Sequence, residues 1–237
     1  MSQTNSKKEQ QGQAMFESII VLLLACILVL IVVEIAFFYR AKSTLNTATF
    51  EAARSGSVSN ASADALHRGF IRGILPLHIR GDASTTGLVK ANLRAETYRA
   101  TGMYTIQIIS PDRRVFNAFK TQVYDLKSDS FIDAIPNDNL NYRSNVTKTV
   151  QQRINGRNEN VEINIQDANL LKIKTRYCHE LLVPVMRQLL KFELFGTSAL
   201  ATHCNTLGGA FSGKTYMVIE SSAVVRMQSP IFERNLN

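Results

Sequence analysis

The chain has 237 residues, with 27 Lys+Arg against 19 Asp+Glu for a formal charge of +8. Only 12 Gly and 5 Pro accompany 45% apolar residues, which excludes collagen-like, linker-like and wholly disordered chains. Three cysteines are too few for a disulfide scaffold, and the mean hydropathy of −0.04 averages one very apolar segment with a polar remainder.

The first residues, MSQTNSKKEQQG, are polar with one basic pair. From Ser18 to Tyr39 the chain then reads SIIVLLLACILVLIVVEIAFFY, with Glu34 as its one charge. A helix needs roughly 20 apolar residues to cross the hydrocarbon layer. The stretch is longer than a signal-peptide core, and no small-x-small cleavage site follows it, so a retained membrane helix is expected. Lys7 and Lys8 precede the span and Arg40, Lys42 and Arg54 follow it, so the flanking charges slightly oppose a cytoplasmic N-terminus. Phe38, Ala41, Leu45, Ala48 and Ala52 recur at spacings of three and four, which extends one helix from about Ala14 to Ser55, with Gly56 as its stop. This alanine-rich stripe admits two readings: a stalk packed on its own domain, or a helix that bundles with copies of itself.

Gly12 is followed by Gln13-Ala14-Met15-Phe16-Glu17 and the apolar run. A charged leader, a glycine and a glutamate five places later form the arrangement of type IV prepilins. Glycine lets a peptidase approach the backbone closely. A carboxylate at the apolar edge costs a few kcal/mol unless paired, and the freed amine of Gln13 on a neighbouring subunit would be such a partner. Residues 12–58, with Gly12, Glu17, Glu34 and the ending Ala52-Ala53-Arg54-Ser55-Gly56, resemble the N-terminal signature of the TadE-like family of tight-adherence (Tad/Flp) pilus assembly proteins. Ile135–Leu140, Gln166–Lys174 and Val224–Pro230 resemble proteobacterial members as well, whereas Cys26 departs from the pattern. The resemblance implies a pseudopilin. It would be cut by a prepilin peptidase after Gly12, held in the bacterial inner membrane by a single pass with its N-terminus cytoplasmic, and carry a periplasmic C-terminal domain. Its implied partners are a Flp-type major pilin, other TadE-like subunits, the prepilin peptidase, the inner-membrane assembly platform and lipid, with no nucleic acid. The expected organisation is a leader at 1–12, a transmembrane helix and its extension at 13–55, and an extracytoplasmic domain at 57–237.

Within that domain, Asn60–Leu75 and Thr85–Arg99 read as helices, Met103–Ser110 as a strand ending at Pro111, and Asp112–Asp125 as a helix before a polar loop around Pro136. Leu170–Tyr177 alternates as a strand, Leu181–Phe195 reads as a helix despite Pro184, and Tyr216–Met227 as a last strand. The class is α+β, pilin-like, with a small antiparallel sheet.

Gly208–Thr215 formally matches GxxxxGKT, but a phosphate loop needs a helix after its lysine, and β-favouring TYMVIESSAVV follows Lys214. Cys178-His179 and His203-Cys204 mirror each other. A Cys178–Cys204 disulfide is the expectation outside the cytoplasm, with zinc or free thiols as alternatives. Asp125, Asp129 and Asp133 fall at i, i+4 and i+8, with Asp138 beyond; this reads as a solvated face more than a calcium loop. Arg80-Gly81-Asp82 is too short a match to an integrin tripeptide to carry weight. Basic residues are dispersed without aromatic interleaving, which suits anionic lipid or an acidic partner better than nucleic acid. No enzyme activity, cofactor or metal is expected. The assembly residues are Glu17 and Glu34, and the alternative reading is a membrane-anchored envelope enzyme or ligand-binding domain.

Overall fold

The computed structural model describes residues 3–79, 81, 84–125, 128–154, 157–182, 204, 206 and 214–236. The fold is mixed α+β: a long N-terminal apolar helix followed by helices and small antiparallel sheets. By contact, the chain divides into two compact units: residues 1–40 with 179–217, and residues 41–178 with 218–237.

Helix α1 runs Gln3–Ser57, and its apolar part is long enough to cross a membrane. It does not stop at Gly56, which is buried inside the last turn. A Cβ there would lie 2.6 Å from Leu66 Cδ2, so glycine is present for close packing. The reversal is made three and four residues beyond the helix, where Asn60 and Ala61 take φ of 56° and 57° and Ala61 N–H donates to Gly56 C=O at 2.9 Å. Ser62 then caps α2 (Ala63–His78) by accepting from Ala65 N–H at 3.3 Å, and Ser84 caps α3 (Thr85–Ala100) by accepting from Gly87 N–H at 3.3 Å.

The larger unit holds β1 (Tyr104–Ser110), α4 (Arg113–Phe119), β2 (Thr121–Asp125), β3 (Ser130–Ile135), β4 (Lys148–Ile154), β5 (Arg157–Ile163), α5 (Ile165–Ala168), most of β6 (Leu170–Glu180) and of β7 (Tyr216–Arg226), and β8 (Ile231–Phe232). There are three sheets among the described residues, not one: β1-β6-β7, β2-β3-β8 and the hairpin β4-β5. The helix expected over Asp112–Asp125 is short. It spans seven residues, capped by Asp112 accepting from Val115 N–H at 2.8 Å, and the chain then turns extended at Lys120 into the β-prone Thr121-Gln122-Val123-Tyr124. Leu181 and Leu182 are not helical, and 183–195 lie outside the described residues.

The core of this unit centres on Leu45, Phe70, Ile74, Phe116, Ile135, Leu171, Ile173 and Ile231, each at most 1% exposed. Thr49, Thr175 and Asn169 are buried polar residues of this unit. Thr49 and Thr175 share a 2.6 Å hydroxyl–hydroxyl hydrogen bond, and Thr49 also donates to Leu45 C=O at 2.7 Å, so neither hydroxyl is left without a partner.

Candidate functional site

The predicted assembly residues lie along α1. From Met15 to Val33 its side chains are mostly exposed: Phe16 is 65% and Leu22 66% accessible, and Glu17 lies on this surface. Such a surface has no place in water and suits lipid or other apolar helices.

The alanine stripe is different. Ala41, Leu45, Ala48 and Ala52 are buried at 1% or less, and Phe38 is half-buried. The helix that covers Ala48 and Ala52 is the chain's own α2, which presents Gly69 and Gly73. A Cβ on Gly73 would sit 2.4 Å from Ala48 Cα, and one on Gly69 would sit 2.6 Å from Glu51 C=O and 2.9 Å from Ala52 Cα. Small residues on both helices let the backbones approach to this distance. At Ala48 and Ala52 the stripe is thus covered by the chain's own α2, in line with the first of the two readings at these positions.

Glu34 also has a partner in its own chain, beyond the assembly role expected of it. It is 3% exposed, and its carboxylate accepts from Leu182 N–H at 3.3 Å. Leu182 follows the end of β6, where Leu181 N–H donates to Thr215 C=O at 3.0 Å and Glu180 pairs with Lys214 at 2.8 Å. His179 is half-buried beside them. Burial pushes its imidazole pKa down, against the charges of Glu34 and Glu180, and its Nε2 has no hydrogen-bond partner among the described residues.

The remaining motifs resolve separately. Lys214 is followed by strand β7 and held by Glu180, the opposite of a lysine at the start of a phosphate-binding helix; 208–213 lie outside the described residues. Cys178 and Cys204 form a disulfide, which removes the two thiolates that zinc would need, and Cys26 is free and exposed on α1. His203 lies outside the described residues, as do Arg80 and Asp82 on either side of Gly81.

The aspartates do not share a helix face, because the backbone there is a hairpin. Asp125 lies in β2 and is approached by Arg234 at 3.9 Å; Asp129 sits in the turn and accepts from the Tyr124 hydroxyl; Asp133 lies in β3 and pairs with Lys120 at 2.9 Å. Asp138 pairs with Arg143 at 2.8 Å. Each carboxylate thus has its own local partner. On the β6–β7 pair, Glu220 bridges Lys174 at 2.7 Å and Arg176 at 2.9 Å, and these bonds, Lys174 foremost, hold its pKa below the ordinary glutamate range.

The three later stretches of family resemblance converge. Asn169 Nδ2 donates to Pro136 C=O at 3.0 Å, Met227 N–H donates to Asn169 C=O at 2.8 Å, and Asn137 Nδ2 donates to Met227 C=O. Sequence reading singled these stretches out without seeing that they form one junction.

Comparison with known proteins bears on α1. A family model described as TadE-like protein matches residues 12–54, from Gly12 through Glu17 and Glu34 to Arg54. Neither the curated proteins nor the solved structures gave a match. Over this segment the chain is similar to TadE-like proteins.

Proposed function

We propose that the chain is a pseudopilin of a Tad/Flp-type pilus machine, acting by helix–helix and domain contacts without chemistry of its own. Residues 1–12 are a leader removed by a prepilin peptidase. Residues 13–55 are a single membrane pass with its extracytoplasmic extension, and residues 57–237 form a periplasmic domain. The observation that carries the reading is the start of the TadE-like match at Gly12, five residues before Glu17. The structure adds support at the proposed cut. Gly12 lies inside α1 and is the residue type that weakens a helix interior by roughly 1 kcal/mol relative to alanine, which would ease local unwinding for a peptidase.

In this reading Glu17 is the intermolecular residue: the freed amine of Gln13 on an adjacent pilin-like subunit meets its carboxylate and fixes axial register. Glu34 lies 17 residues further on, about 26 Å along a helix rising roughly 1.5 Å per residue. It serves its own chain through Leu182. Partners are the Flp-type major pilin, other TadE-like subunits and the inner-membrane assembly platform.

The test is mass spectrometry of the protein purified from its own membranes. The expected N-terminus is Gln13, and Gly12→Ala accumulates the uncut precursor. An intact Met1 or Ser2 start on the assembled protein overturns the reading.

A further inference from the structure

The convergent junction frames a cleft of about 480 Å³ between the loop after β3 and the end of β7. Two apolar residues of its lining are buried: Leu140 is 7% and Met227 2% exposed. Its rim is polar, formed by Asn139, Asn141, Tyr142, Arg226 and Gln228.

The loop backbone is fixed from several sides. Pro136 and Leu140 carbonyls accept from Asn169 Nδ2 and Gln166 Nε2, each at 3.0 Å, Asn137 Nδ2 holds Met227, and Tyr142 N–H closes the turn on Asn139 C=O at 2.9 Å. Asn139 takes φ of 48°, the left-handed conformation that asparagine tolerates. The rim side chains are in the opposite situation. Those of Asn139, Asn141, Gln228, Arg226 and Tyr142 make no hydrogen bond or ion pair with another described residue, and Tyr142 is 91% exposed. Arg143 next door is already paired with Asp138. A rigid loop carrying uncommitted polar groups loses little entropy when a ligand binds.

The chemistry of the rim selects the ligand. Carboxamides offer donors and acceptors together, as vicinal hydroxyls require. An exposed aromatic face attracts the positive C–H edge of a sugar ring. A guanidinium without an internal partner forks onto a carboxylate. A polyphosphate backbone would call for several cations, and the cleft offers one.

We propose that this cleft binds an acidic saccharide. Tyr142 stacks under a pyranose ring, Asn139, Asn141 and Gln228 meet its hydroxyls, and Arg226 takes the carboxylate of a uronic-acid unit. The proposal stands independently of how α1 assembles.

The test uses the full-length chain in nanodiscs and titrates trigalacturonate, maltotriose and a short oligothymidylate, followed by calorimetry and saturation-transfer NMR. Trigalacturonate is expected to bind, with saturation transfer strongest on its ring protons. Tyr142→Ala weakens it about five- to tenfold while Tyr142→Phe stays close to wild type. Arg226→Gln lowers its affinity about tenfold, to the level of maltotriose. Both side chains are exposed, so these variants leave the fold intact. Absence of trigalacturonate binding at millimolar concentration, unchanged binding by Tyr142→Ala, or equal or tighter binding of maltotriose or the oligonucleotide overturns the proposal.

Discussion

Gly73 and Gly69 show how much a single hydrogen atom can decide. A methyl group at either position meets backbone atoms of α1 rather than a movable side-chain tip, so the two helices must separate. Alanine would raise intrinsic helix propensity by about 1 kcal/mol, but the overpacking term, typically about 1–3 kcal/mol, is larger. Gly73→Ala is therefore expected to lower the thermal midpoint of the domain, and Gly73→Leu to lower it further, as followed by circular dichroism. His67 carries a pH signature. Its ring nitrogen lies 3.2 Å from the Tyr104 hydroxyl; burial first, then Arg99, pushes the imidazole pKa down, and burial raises the Tyr104 pKa to about 12. A lowered folded-state pKa means that the unfolded chain binds the proton more readily. The contribution of His67 is thus complete above its unfolded value near 6.5 and is lost as pH falls below it. The urea midpoint should drop between about pH 7.5 and about pH 5.5, and His67→Gln should remove part of that drop. The two glutamates of α1 separate at this scale too. Glu17→Ala should be processed and inserted normally yet fail to recover pilin-like partners from membranes, whereas Glu34→Ala should show a weaker defect, because its partner is Leu182 of the same chain. Full recovery by Glu17→Ala with loss by Glu34→Ala would reverse the assignment.

At the level of elements, the Cys178–Cys204 bridge closes a loop of 26 positions (204 − 178), worth about 3 kcal/mol in the chain-entropy model. Thiol labelling of denatured, unreduced protein should modify Cys26 alone; labelling of all three would contradict the bridge. Legibility in the sequence followed burial. Helix α2 and strands β1, β6 and β7 were readable because an apolar face such as Leu66, Phe70, Ile71 and Ile74, or alternation such as the buried Leu171, Ile173, Thr175 and Tyr177, imposes a period. The β2–β3 and β4–β5 hairpins were not, because each buries only a few residues near its strand ends or centre and shows no buried alternation: Asp125, Ala134 and Ile135 in β2–β3, and Val150 and Ile163 in β4–β5 among the described residues. Turn chemistry was the signal available there. Asn155-Gly156 lies between the paired Ile154 and Arg157, a dipeptide that marks two-residue hairpin loops. In the candidate site, the alanine stripe was visible but its occupant was not, since helical periodicity says which face is covered and never by what. The glycines at 69 and 73, four apart on α2, were the complementary half of that information.

For the whole chain, the apolar helix and the TadE-like match cover the N-terminal quarter, and the polar cleft is built from stretches remote in sequence from it. Function in this reading is divided, with assembly assigned to α1 and recognition to the loop after β3, so substitutions in one should leave the other's readout unchanged. Tyr142→Ala is expected to be cleaved and to recover partners like wild type, and Glu17→Ala to bind trigalacturonate like wild type. A joint loss in either variant would show that the two are one function. The seam between α1 and its domain has a mechanical meaning. Beyond Arg40, Lys42 donates to Glu220 C=O, Asn46 accepts from Ser221 at 2.8 Å, Thr49 is bonded to Thr175, and Ala48 and Ala52 are wedged under Gly73 and Gly69. These attachments are strung along the helix axis, so a pull on α1 strains them side by side rather than one after another. A tug along the helix therefore meets the combined resistance of the whole seam, whereas a sideways peel from the Ser57 end would open it one fastening at a time.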